Sequence, residues 1–390
     1  MVQQEVPNVP KTNGINQTYI VYIYADSQTE WNCSSWRCLI PSNAMNKPAN
    51  AEAGLKAKLV HVSGFLNFLD PVIQDLIAPC DVIVFQRNIA WQQSLDAMEY
   101  WQGMGKPVVI DLDDAYQFLP WSNPAKPFWH IRENGEALKF LVEGMKHSDG
   151  LISPNRLLLN DWSHCTRGYY LQNYAEKDWW ENLPPREELK FKRGLSNRII
   201  VGWGGSVSHY DSWWGSGIRE AAAKVSARHP QVMWQICGND PRIFDQLPVP
   251  AEQKVFQPGV PPQIWPQIVR SFDIGVAPLH HLYDQRRSWI KGMEYALAEI
   301  PWVGTAGEPY KELGDLGMLV ENDVNVWEFA LEETIKNLPQ LQEECTARIE
   351  DVRKRFIVDN NLDKFAETYR MIKTNVSADK GRLPGVLYVN

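Results

Sequence analysis

No CxxC pair occurs in the sequence; its six cysteines (Cys33, Cys38, Cys80, Cys165, Cys237 and Cys345) are scattered. That spacing excludes a zinc-ribbon site and a disulfide framework, and fits free thiols in a reducing compartment. No stretch approaches about 18 uninterrupted apolar residues, so no membrane-spanning helix is expected. The opening residues MVQQEVPNVPKTNGINQ lack a basic segment followed by an apolar one, so neither a secretory signal nor a location outside the cytoplasm is expected. Positive charge is in deficit, 39 Lys and Arg against 47 Asp and Glu for a net charge of −8. A chain that coats nucleic acid non-specifically has the opposite balance. Neither a strand followed by GxGxxG nor a GK[ST] loop is present, which argues against a hydride-transfer enzyme and a P-loop.

What is present is enough material for two ordinary domains: 390 residues, 44% hydrophobic and 22% charged. Short apolar, β-branched runs alternate with amphipathic stretches. The predicted strands are 19–25, 82–85, 108–112 and 151–153, then a second series at 199–203, 232–237, 274–277 and 302–305. Helical patterns lie at 90–104, 133–147, 216–228, 264–271 and 289–298. This alternation predicts an α/β protein with parallel sheets built from βαβ units. The polar segment 178–197, with Pro184-Pro185, reads as a linker between two Rossmann-like domains facing a cleft.

Ligands of such sheets sit at the carboxyl ends of strands, beside helix N-termini. Three strand ends carry chemistry. The first, GKPVVIDLDD, delivers Asp111, Asp113 and Asp114 to one edge. This fits a metal site, polar contact with a substrate in the cleft, or a plain helix cap. The second, IIVGWGGSVSH, runs from a strand into a turn with Gly204, Gly205, Ser206 and His209, where backbone amides can approach a phosphate. The third, LYDQRRSWIKGMEYALAEIPWVGT, brings Arg286, Arg287 and Ser288 into a helix carrying Lys291 and Glu294. Three residues apart, Lys291 and Glu294 share one face near the helix start. There the basic groups would hold a diphosphate and the carboxylate would accept from ribose hydroxyls, whereas elsewhere Lys-x-x-Glu would be a surface ion pair.

Seventeen tryptophans are the compositional surplus. Those in loop-like stretches (Trp31, Trp36, Trp121, Trp129) are candidates for stacking on an acceptor, with core packing as the alternative for each. His130, beside them, is a candidate acceptor contact or base.

The third segment, Lys291-Gly-Met-Glu294-Tyr-Ala-Leu-Ala-Glu-Ile-Pro301-Trp-Val303, resembles the pattern K-x-x-E-Y/A-x-A-x-G-x-P-V-V of the large retaining GT-B glycosyltransferase family 4. The resemblance extends to Gly317-Met-Leu-Val320, Asn322 and Trp327, and back to VGWGGSVSH and GKPVVIDLDD, covering roughly residues 80–375. It implies two Rossmann-like domains, with 1–177 binding acceptor, 178–197 linking, and 198–359 binding a nucleoside-diphosphate sugar. A helix at 360–375 is expected to cross back to the first domain, followed by a tail at 376–390. By the same resemblance Glu294 would bind ribose, the 286–291 loop the phosphates, and Gly204, Gly205 and Ser206 the diphosphate across the site. Asp113, Asp114, Lys291 and Arg287 stand as the catalytic candidates. The first of the family's paired glutamates would fall eight residues before Glu294, where this chain has Arg286.

The expected activity is transfer of a sugar from a nucleoside diphosphate to a hydroxyl, with retention. No cofactor beyond the donor and no divalent metal is expected. A saccharide is the first expectation for the acceptor, and hydroxymethylated bases in DNA are the alternative. A nucleotide-sugar-binding protein without turnover is the alternative from another class.

Overall fold

The computed structural model describes residues 17–27 and 32–379, so Trp31 lies outside the described residues. Twelve parallel strands form two six-stranded sheets. The first comprises β1 (Thr18–Tyr24), β2 (Leu55–His61), β3 (Val82–Gln86), β4 (Val108–Asp111), β5 (Leu151–Ser153) and β6 (Gly168–Tyr170), in the order β2-β1-β3-β4-β5-β6. The second comprises β7 (Ile199–Gly204), β8 (Val232–Gly238), β9 (Lys254–Pro258), β10 (Ile274–Ala277), β11 (Trp302–Thr305) and β12 (Met318–Val320), in the order β12-β11-β10-β7-β8-β9. Strand order reverses between β1 and β3 in one sheet and between β7 and β10 in the other. At such a reversal the connections leave in opposite directions and open a crevice.

All eight expected strands form. The interior ones are continuous apolar runs, β3 being buried at every position, because helices cover both faces. β2, β6, β9 and β12 were not among them. Each lies at a sheet edge or is only three residues long, and β9 is largely half-buried, so its apolar signal is weak. Among the described residues, no helix is long and apolar enough to cross a membrane.

The segment 178–197 is not the irregular linker expected. It contains most of the helix Lys177–Trp180 and the whole of Arg186–Lys192. Buried Lys190 fixes the second of these helices to the second sheet through Asp273 at 2.7 Å. The chain crosses between halves twice, side by side, with Ala175 and Ile357 forming a parallel bridge. The last helix, Leu362–Asp379, runs four residues beyond the expected end and packs on the first sheet. Tyr369 and Tyr22 meet there through their hydroxyls, and Lys373 pairs with Asp81 at 2.9 Å. Seven tryptophans (Trp101, Trp180, Trp203, Trp213, Trp234, Trp302 and Trp327) are almost fully enclosed, so much of the surplus indole is core.

Candidate active site

The second sheet's crevice lies beyond Gly204 and Ala277. From β10 the chain loops through 278–289 into the helix Ile290–Leu297, whose N-terminus has no side-chain cap. Lys291 in its first turn donates from Nζ to the carbonyl of Gly204 and lies 5.0 Å above the ring centre of Trp203. One turn on, Glu294 is 6% exposed and accepts from Trp265 Nε1 at 2.8 Å. The two are therefore not a surface ion pair: Glu294 is buried, Lys291 is half-buried, and each bonds a different partner. Burial lowers the Lys291 ammonium, Glu294 opposing and Arg287 adding to the effect. Burial raises the Glu294 carboxyl, with Lys291 and the Trp265 bond opposing.

Arg287 is fixed by four hydrogen bonds. Its Nε donates to Asp284 Oδ1 at 3.0 Å, Nη1 to His209 Nε2 at 2.7 Å, and Nη2 to Ser208 O and Oγ at 3.1 and 3.0 Å. A guanidinium only donates, so His209 Nε2 must be the acceptor and its proton sits on Nδ1. Burial, then Arg287, Lys291 and His281, push His209 well below the usual histidine range, which keeps it neutral. Asp284 is fully buried and also accepts from Ser212 Oγ at 2.6 Å and the His280 amide at 2.9 Å.

Three candidates of the donor half have protein partners of their own. Arg286 turns to the first half. It makes a two-bond ion pair with Asp161 of the first half and stacks 4.5 Å over Phe118. Ser288 Oγ accepts from Asn173 Nδ2 at 2.9 Å, also across the halves. The glycines make room for side chains: a Cβ on Gly204 would lie 2.0 Å from the Trp265 ring, and one on Gly205 would lie 2.8 Å from Trp203 and 2.9 Å from Lys291 Nζ. The Gly205 amide already donates to Cys237 O at 3.0 Å. Ser206 caps the short turn Val207–His209.

Opposite lies the crevice of the first sheet. Asp111 there is structural. Arg37 donates to both its oxygens at 2.8 Å, both side chains are 3% exposed, and Arg37 also donates to Leu171 O and Asn173 Oδ1. Asp26 and Arg87 form a second pair. Arg87 sits just past β3 at φ 47°, a left-handed conformation that strains a residue with a side chain. Asp113 Oδ1 is buried with no partner among the described residues. Burial and the Asp114 charge raise the Asp113 carboxyl to about 7. Asp114 Oδ1 accepts from Tyr283 OH at 2.9 Å. Ligand atoms of Cys33, Asp113 and Asp114 lie within 4.8 Å of one another, the spacing at which three such groups could hold a metal ion. Burial raises the Cys33 thiol well above its ordinary value, so this sulfur is a poor ligand until deprotonated.

The tryptophans separate. Trp129 is 5% exposed and stacks on Tyr116 at 4.1 Å, so its faces are not open to an acceptor as expected. Trp36 is half-buried against the core. Trp121 is 80% exposed with Lys126 Nζ 4.8 Å from its ring centre. His130 Nε2 donates to Tyr116 O at 2.6 Å, leaving Nδ1 as its basic nitrogen. Sequence reasoning missed Asn155, Asp161, Trp265, Tyr283 and Asp284, each of which has a partner far along the chain. Local signals existed for Asn155, a helix cap following the strand LIS, and for Asp284, three residues before Arg287.

Neither a protein-family model nor a curated protein matches the chain. Solved structures do. HepE (Alr3699) of Anabaena, in complex with UDP and glucose, matches with TM-score 0.59 at 15% identity, over 93% of this chain and 99% of that one. A glycosyltransferase from Rickettsia africae matches with TM-score 0.60 at 13% identity, over 92% and 99%. Sucrose-phosphate synthase of Thermosynechococcus elongatus matches with TM-score 0.59 at 12% identity, over 92% and 100%. At such identities the likeness is one of fold. The chain has the GT-B fold of glycosyltransferases, two Rossmann-like halves facing each other.

Proposed function

We propose that the protein is a glycosyltransferase that takes a sugar from a nucleoside diphosphate and places it on an acceptor hydroxyl. The observation that carries this reading is the placement of half-buried Lys291 and buried Glu294 on one helix turn at the crevice of the second sheet. A half-buried cation and the uncapped amides of that helix suit the charge of a departing diphosphate, and a buried carboxylate suits a ribose diol. HepE, of like fold, was solved with UDP and glucose, which makes UDP-glucose the first donor to test.

In the proposed reaction the acceptor oxygen bonds to the anomeric carbon as the bond from that carbon to the β-phosphate oxygen breaks. The diphosphate keeps the electron pair, and Lys291 opposes its growing charge. Transfer is proposed with retention, following the family resemblance, so the departing phosphate oxygen takes the acceptor proton. Asp113 and Asp114 then orient the acceptor; in an inverting reaction Asp113 would take the proton.

For the acceptor we propose an uncharged saccharide. In the first sheet's crevice Arg37 and Arg87 are cancelled by Asp111 and Asp26, leaving Asp113 and Asp114 with no ion-pair partner among the described residues. A DNA phosphate would meet those carboxylates, whereas Trp121 offers an open face for a sugar ring. The test is transfer from labelled UDP- and GDP-sugars to oligosaccharides, lipid-linked sugars and hydroxymethylated DNA, with and without chelator. Anomeric coupling in the product assigns retention or inversion. Donor binding without diphosphate release against every acceptor would replace this proposal with the non-catalytic binding protein.

A further inference from the structure

We infer that Asn155 and Asp161, in the first half of the molecule, are positioning residues for the donor bound in the second. This rests on reading 284–294 as the donor site. Asn155 is 2% exposed and uses its whole side chain. Its Oδ1 accepts from the Leu158 amide at 3.0 Å, capping the helix Arg156–Trp162. Its Nδ2 donates to Gln285 O at 2.9 Å and to Arg287 O at 2.8 Å, using both amide hydrogens on the donor loop. At the penultimate position of the same helix, Asp161 takes Arg286 through two bonds.

Three successive loop residues, 285 to 287, are thus pinned from the opposite half. The loop's own half supplies Asp284, Ser208 and His209, which set the Arg287 guanidinium, while Lys291 follows in the first turn of the helix. Asn155 and Asp161 act on this loop, and through it on the groups that meet the phosphates. A loop already held in its bound form costs less to order when ligand arrives. Donor affinity therefore includes the docking of the two halves, and by reciprocity donor should tighten that docking.

The experiment is calorimetric binding of UDP and GDP, with steady-state kinetics on the corresponding glucose donors, for the full-length protein and for Asn155→Ala, Asp161→Asn, Asp161→Arg and the Asp161→Arg/Arg286→Asp exchange. The expected result is nucleotide affinity about tenfold weaker and donor KM raised to match in the single variants, with kcat at saturating donor changed by less than about twofold. The exchange should recover most of the loss relative to Asp161→Arg alone, and nucleotide should slow amide exchange over 155–162 only where the fixture is intact. Unchanged nucleotide affinity in Asp161→Asn overturns the inference. So does a loss of kcat and melting temperature together with no recovery in the exchange, which would mark a purely structural role. If Asn155→Ala does not fold, the Asp161 variants decide. If the unaltered protein binds neither nucleotide, the glycosyltransferase reading falls, and this inference with it.

Discussion

Tyr283 and Asp114 join the two halves through one hydrogen bond, in which the phenol of the donor-side loop donates to the carboxylate beyond β4 at 2.9 Å. Burial and the Asp114 charge push the Tyr283 phenol well above its ordinary value, so it remains a donor throughout the physiological range. Tyr283→Phe removes the bond and leaves a carboxylate without its partner, which should cost about 1–3 kcal/mol of stability. Denaturant titration measures the loss, and X-ray scattering should show a wider cleft.

Glu294→Ala should weaken UDP binding by about 1–3 kcal/mol, the scale for hydrogen bonds to a charged group. Calorimetry on folded protein checks this, and unchanged affinity would remove ribose binding from Glu294.

Lys291 is held near pH 8 by burial, so its charge is lost from the free enzyme as pH rises through that region. kcat/KM for the donor, which reports groups of the free enzyme, should therefore fall above roughly pH 8. In Lys291→Met that limb should be absent from a much lower profile.

Asp113 carries the opposite linkage. Its folded value of about 7 lies above its ordinary one, so its contribution to stability is fully present below the ordinary carboxyl range and is lost as pH rises from there to about 7. Asp113→Asn, which mimics the protonated carboxyl, should be nearly neutral at about pH 3, where the carboxyl is protonated in the folded and unfolded states alike. Its advantage should grow up to about pH 7 and stand at about 2–4 kcal/mol at pH 8.

Trp121 and Trp129 should part company. Trp129→Ala opens a hole beside Tyr116 and should cost about 3–5 kcal/mol. Trp121→Ala should leave the melting temperature in place and raise the acceptor KM. Equal acceptor kinetics before and after that change would deny Trp121 a place in the acceptor site.

These contrasts show which features local sequence carries. The interior strands and the helix bearing Lys291 and Glu294 were legible because burial on both faces gives unbroken apolar runs and one helical turn gives a fixed spacing. The roles of Arg286 and Trp129 were not. Arg286 pairs with Asp161, 125 positions away, and nothing near either residue signals the other. Gly204 looked like a phosphate turn because a glycine's reason depends on its neighbour, here the Trp265 ring. Gly204→Ala should therefore act on packing first, costing about 1–3 kcal/mol in a chemical denaturation experiment.

The returning helix Leu362–Asp379 has a consequence for synthesis. Tyr22, in the first strand of the chain, finds the partner for its buried hydroxyl in Tyr369, 347 residues later. A nascent chain emerging from the ribosome can assemble the second sheet while one side of the first still lacks its cover. Of the two halves, the one that comes earlier along the chain is thus the later to be sealed. Until then its uncovered apolar side is a surface for a chaperone to shield.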